Sequence, residues 1–143
     1  MNRIYNNEAI IMLCIVKLLQ GEFMDMAKLF LCVVLAVDDK LNLQTRNAYS
    51  VESLYAEIRN DQLLNRKYIS YGPYFINAII MLRQLNCVGI NGDCIYLKKS
   101  IFCNEKKIPS RRMKRIYKAS ENIQRLFGGV STNEIYNNLG IQL

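Results

Sequence analysis

Two nearly continuous apolar runs, Ala9 to Val16 and Leu29 to Val37, set the strongest limit on what this chain can fold into. The first stops at Lys17 and the second is preceded by Asp25 and Lys28, so neither reaches the roughly 20 apolar residues that a membrane-spanning helix needs. Around residues 7 to 20 the apolar positions lie on every side of a helix, which suits an element enclosed by other helices. Gly21 is the expected stop. Neither Pro nor Gly is frequent (2 and 7 of 143 residues), which leaves little room for linkers, and the length suits one domain spanning residues 1–143.

Along that domain the sequence divides into an apolar helical part (1–49), a middle part (50–98) and a basic connector with C-terminal helices (99–143). A second apolar helix is expected from about Met24 to Val37, then a loop from the polar Asp38-Asp39-Lys40 through Tyr49. Ser50 caps a helix over Val51 to Arg59 whose Leu54, Tyr55 and Ile58 share a face; Ser53 at the third position does not supply the Glu or Gln of a full capping box. Gly72-Pro73 reads as a helix start with proline at its first position, and the helix runs to about Asn86.

Asn91-Gly92 between two short apolar runs is a hairpin signal. Taken as the two-residue loop, it pairs Ile90 with Asp93 and Val88 with Ile95, with Val88, Ile90 and Ile95 on one face. Helix, helix and hairpin in that order give the expected fold class: mainly α with one β-hairpin, a winged-helix-like compact helical domain.

Ser110 opens a further helix to Phe127, stopped by Gly128-Gly129. At 100° per residue Met113, Ile116, Tyr117, Ser120, Ile123 and Phe127 gather on one side, and Arg111, Arg115, Lys118, Asn122 and Arg125 on the other. Ser131-x-x-Glu134 is a capping box, with Val130 and Ile135 placed as a staple, for a last helix ending at Gly140.

The chemistry is expressed mainly as charge. From Lys98 to Arg125 ten basic residues face only Glu105 and Glu121, a surplus of eight, so the rest of the +7 chain carries −1. Lys106, Lys107, Arg111, Arg112, Arg115, Lys118 and Arg125 form the candidate basic interaction surface, suited to an acidic protein face or a nucleic-acid backbone. No catalytic, cofactor-binding or metal-binding residues are expected. Histidine is absent, which removes the commonest proton-transfer group near neutral pH, and no phosphate-cradling glycine motif is present. The acidic pair Asp38-Asp39 reads as a solvated loop feature. Five cysteines without a Cys-x-x-Cys pair read as reduced structural thiols. The first eight residues lack the features of a signal peptide, and cytoplasmic residence is the expectation.

A family resemblance is clearest at the end of the chain. Lys118-Ala119-Ser120-Glu121-Asn122-Ile123-Gln124-Arg125-Leu126-Phe127, then Ser131-Thr132-Asn133-Glu134-Ile135-Tyr136-Asn137-Asn138-Leu139-Gly140-Ile141, resembles the ending of the middle component of bacterial three-component ABC-ATPase systems, whose relatives include a small subunit of Lamassu-type anti-phage defence complexes. Tyr5-Asn6-Asn7-Glu8 before an apolar helix, and Leu29 to Val37 followed by Thr45-Arg46, resemble its earlier parts, without the prolines and the histidine usual there. The resemblance implies a catalytically silent adaptor between an ABC ATPase of the structural-maintenance-of-chromosomes (SMC) type and an effector such as a nuclease, with DNA reached through the complex and no membrane contact. The rival is an autonomous winged-helix DNA-binding regulator. Its groove-reading helix, Pro73 to Asn86, offers only Asn77, Arg83, Gln84 and Asn86 as polar tips, which is thin for base recognition. A small enzyme has only negative arguments.

Overall fold

The computed structural model describes residues 3–98 and 110–141. Helix α1 (Arg3–Leu18) leads through a left-handed Gly21 (φ +85°) to a two-residue strand β1 (Met24–Asp25) and helix α2 (Met26–Val37). The aspartate between strand and helix explains the switch: the Asp25 side chain accepts a hydrogen bond from the Ala27 amide and caps α2. Nine of the twelve residues of α2 are buried, making it the central rod expected of its apolar run.

Where a loop is expected after Val37, the chain forms α3 (Asp39–Asn47). Asp38 is the reason, because its carboxylate accepts from the Leu41 amide and starts a new helix that buries Leu41, Asn42 and Thr45. Helix α4 (Val51–Arg59) has the expected bounds and buried face. Its capping box is complete, with the Ser53 hydroxyl in the role usually held by Glu: it accepts from the Ser50 amide while Ser50 accepts from Ser53.

Helix α5 (Leu64–Gln84) overturns the expected proline start, since Pro73 lies in its interior. Packing outweighs the roughly 3 kcal/mol propensity cost: Leu64 is buried more than two turns before Pro73, and Phe75, Ala78, Ile79 and Leu82 after it. Pro73 and Ile69, whose carbonyl loses its usual amide partner, both face solvent, where water can serve that carbonyl. The helix ends in a Schellman arrangement, with Asn86 at φ +59° and the amides of Asn86 and Cys87 donating to the Arg83 and Leu82 carbonyls.

The hairpin is present as β2 (Val88–Asn91) and β3 (Cys94–Leu97), with its register shifted from the expected one. Ile90 pairs with Ile95 and Asn91 with Cys94, so the loop is Gly92-Asp93. Gly92 at φ +64° takes the first loop position, the one where a type II′ turn demands glycine. Opposed pairing keeps Val88, Ile90 and Ile95 on one face. Strand β1 adds to the far side of β3 to give a three-stranded antiparallel sheet, order β1-β3-β2, with Met24 opposite Ile95. The Tyr96 ring lies over Gly89, where a Cβ would displace it.

Helix α6 (Arg111–Phe127) and helix α7 (Thr132–Leu139) have the capping serines read from the sequence, Ser110 and Ser131. Met113, Ile116, Ser120, Ile123 and Phe127 are buried, so α6 is turned as the periodicity requires. The core runs from α1 through α2 to α6 and α7. Phe30 of α2 packs between Tyr68 (4.5 Å between centroids) and Phe75 (4.9 Å) of α5, its ring tilted to both. The protein is therefore mainly α-helical with a small sheet. Among the described residues, no helix is long and apolar enough to cross a membrane.

Candidate functional site

Helices α3 and α6 are locked together by polar groups that meet helix ends. Asn42 donates to the carbonyls of Ala36 (2.6 Å) and Arg115 (3.2 Å), and Asn122 donates to those of Thr45 (2.7 Å) and Ala48 (2.8 Å). The second amide thereby serves carbonyls at the end of α3, adding to the 3.4 Å bond that Thr45 accepts from the Ala48 amide. Arg46 Nε donates to the Asn42 side chain at 2.6 Å, which fixes the arginine beside α6.

This joint creates a groove of about 510 Å³ lined by Arg46, Arg111, Lys114, Arg115, Tyr117 and Lys118, with Glu121 its single acidic lining residue. Glu121 is itself paired with Lys17 at 3.4 Å. A smaller hollow continues along Lys118 and Asn122 to Arg125. Arg111, Lys114, Arg115, Lys118 and Arg125 are exposed, so their charge faces solvent.

Of the seven residues read from the sequence, Arg111, Arg115 and Lys118 come together in this groove. Arg125 shares the stripe, but its guanidinium donates to the Ala48 and Tyr49 carbonyls and to Asn122, closing the end of α3. Arg112 departs from the expected surface. It is half-buried, its Nε is enclosed without a hydrogen-bond partner among the described residues, and its charge acts on Tyr71. The cause is angular, because Arg112 lies on the side of α6 that carries Ala119 and Ile123. Lys106 and Lys107 lie outside the described residues. Sequence reasoning missed Lys114, which a wider arc on the same wheel would include, and Arg46, which tertiary packing alone brings from α3.

The other polar clusters are structural. Asp38, expected in a solvated loop, pairs with Lys67 at 3.1 Å, and Lys67 also reaches Asp61 at 3.1 Å. Burial pushes the Asp61 carboxyl up, but bonds from the Leu63 amide and Lys67 outweigh it and hold the group below its ordinary value. Burial pushes the thiols of Cys14 and Cys32 up to about 12, opposed in part by Ser120 and Lys28 respectively. They are neutral thiols near pH 7, and Cys103 lies outside the described residues. Among the described residues, no group of three or more Cys, Asp or Glu side chains is assembled as a metal-holding set.

Fold and surface together define a mainly α protein that presents a lysine- and arginine-lined groove on two interlocked helices. The chain belongs to the Middle Component 3 family of ABC-three component (ABC-3C) systems, whose model matches residues 24–143. Membership implies partner components, an ABC ATPase and one other. No curated protein and no solved structure matches the chain. The ending that carries the resemblance is structural here: Ile135, Tyr136, Leu139 and Ile141 are buried, and Gly140 takes φ +69° to turn the chain after α7.

Proposed function

We propose that the chain is a non-catalytic cytoplasmic adaptor of a bacterial defence complex of the Lamassu kind, linking an SMC-type ABC ATPase to a nuclease effector, with its basic groove turned toward DNA held by the assembly. Family membership supports the adaptor role, and the observation that supports the DNA-facing part of the reading is the groove between α3 and α6. Its cations come from two helices, with those of α6 exposed and Arg46 of α3 half-buried at its side, as a surface for an extended anionic backbone requires. Hydrolysis and cutting then belong to the partners.

The winged-helix comparison is part of the same proposal: the sheet order β1-β3-β2, with the helices between β1 and the hairpin, resembles that arrangement. An autonomous regulator finds less support. The helix before the hairpin turns Ile69, Ile76 and Ile80 outward, which suits a protein partner better than base edges.

The test compares the purified chain with the co-expressed three-component complex in a gel shift on duplex DNA at several salt concentrations. The adaptor reading expects weak binding by the chain alone and tighter, salt-sensitive binding by the complex, reduced by reversing Arg111, Arg115 and Lys118. Tight, sequence-selective binding by the isolated chain overturns it in favour of the regulator.

A further inference from the structure

Among the described residues, helix α5 leaves one side without a partner. Ile69, Ile76 and Ile80 are 72%, 58% and 48% exposed, and Pro73 is exposed between them. These four positions follow one another at intervals of four, three and four, the spacing with which a helix presents a seam to a second helix laid alongside. Three isoleucines aligned along one helix differ from single apolar residues scattered over a surface, which call for no explanation. The opposite side of α5 is spent in the core through Phe75, Ala78 and Leu82. Beside Ile76 the seam opens into a groove of about 860 Å³ floored by Met26, Phe30 and Phe75, room for side chains projecting from whatever lies on α5.

Charge selects the occupant. The seam is bounded by Arg66 at one end and Arg83 at the other, both exposed and seventeen positions apart, or about 25 Å along the axis. Neither makes an ion pair among the described residues, and α5 contains no Asp or Glu. Asp25 and Asp93 line the groove beside Ile76, and Glu8 accepts from Asn77 on the flank, but none of the three is ion-paired with Arg66 or Arg83 among the described residues. A second copy of the chain is excluded as the fitting partner: parallel α5 helices set each arginine against its own equivalent, and antiparallel ones set Arg66 against Arg83. Residues 99–109, with Lys99, Lys106 and Lys107 against Glu105, have the wrong sign as well.

We propose that the outward face of α5 docks an amphipathic helix of one of the other components, with apolar residues at four-three-four spacing and a carboxylate at each end of its apolar stripe. This rests on the adaptor reading and deepens it: α5 holds protein, while the α3–α6 groove is left to an anionic backbone.

The test is affinity capture of the co-expressed ATPase and third component by the tagged chain. The variants are Ile76→Asp with Ile80→Asp, and Arg66→Glu with Arg83→Glu, each checked by a thermal melt. Both substitute exposed side chains, so parental melting is expected, with capture of one component falling on the order of tenfold or more for the isoleucine pair. The arginine pair should weaken the same capture, and exchanging the matching carboxylates of the partner for lysine should restore it. If the isoleucine pair does not fold, the arginine pair and its rescue carry the decision. Parental capture by folded variants overturns the α5 proposal and leaves the adaptor reading standing, whereas a parent chain that captures neither component overturns both. A chain that dimerises in light scattering and becomes monomeric on Ile76→Asp also overturns it, in favour of a second copy.

Discussion

The ammonium of Lys28 lies 2.8 Å from the carbonyl oxygen of Phe127, and 3.0 Å from that of Val130. Lys28 is only 8% exposed, so a charge in the first turn of α2 serves the C-terminal end of α6, where carbonyls lack intrahelical donors and the helix dipole is negative. Lys28→Met keeps most of the stem's packing and removes the donor. Urea unfolding should show a loss of about 1–3 kcal/mol. An unchanged midpoint would mean that water replaces the ammonium without cost.

Tyr136 holds three helices together. Its hydroxyl donates to the Ala27 carbonyl of α2 and lies 2.8 Å from the Tyr68 hydroxyl of α5, with the two rings edge to face. Burial and the Tyr68 bond push this phenol far above its ordinary value, so it remains protonated throughout the working range. Tyr136→Phe should cost about 1–2 kcal/mol, since it leaves the Ala27 carbonyl and Tyr68 without this partner while keeping the ring. The urea midpoint should fall with its slope unchanged.

The triad Asp38, Lys67 and Asp61 gives the stability curve two edges. Asp61 is held below its ordinary 3.8, so its contribution is present above that pH and is lost as pH falls through the lower folded-state value. For Lys67, burial pushes the ammonium down but the bonds to Asp38 and Asp61 outweigh it, holding it above 10.5. Its contribution is present below 10.5 and is lost as pH rises through the higher folded-state value. Melting temperature measured against pH should fall at both ends for the parent, and Lys67→Met should flatten both edges. Identical profiles would assign the edges to other groups.

Local signals made much of this fold legible. Ser110, Ser131 and Gly140 mark the bounds of α6 and α7, and the wheel of α6 places Ile123 inside and Lys118 outside, because capping and periodicity depend on near neighbours. The misreadings occurred where one residue type serves two purposes. Asp38 reads as loop polarity yet begins α3, Pro73 reads as a start yet lies within α5, and Asn91-Gly92 reads as a loop yet Gly92-Asp93 is the turn. The start of α3 was decided by the cap that Asp38 places on Leu41, with Lys67 holding the same carboxylate, and the other two by packing at a distance: Phe75 against Phe30, and β1 against β3. For the same reason the groove was half visible. Its α6 cations follow from the wheel, whereas Arg46 joins them only through the contact of α3 with α6.

That contact separates two neighbouring cations by what their loss should do. Lys118 lines the groove and is exposed, whereas Arg125 donates to the Ala48 and Tyr49 carbonyls and to Asn122. Lys118→Glu should leave the thermal melt within the roughly 0.5 kcal/mol usual for surface changes and weaken association with an anionic partner. Arg125→Glu sets a carboxylate against the negative end of α3, so it should lower the melting temperature as well, by about 1–2 kcal/mol of stability. Melting and DNA gel shift measured on both variants would separate the roles. Equal melts for the two would show that Asn122 alone suffices to close α3, leaving Arg125 as much a surface cation as Lys118.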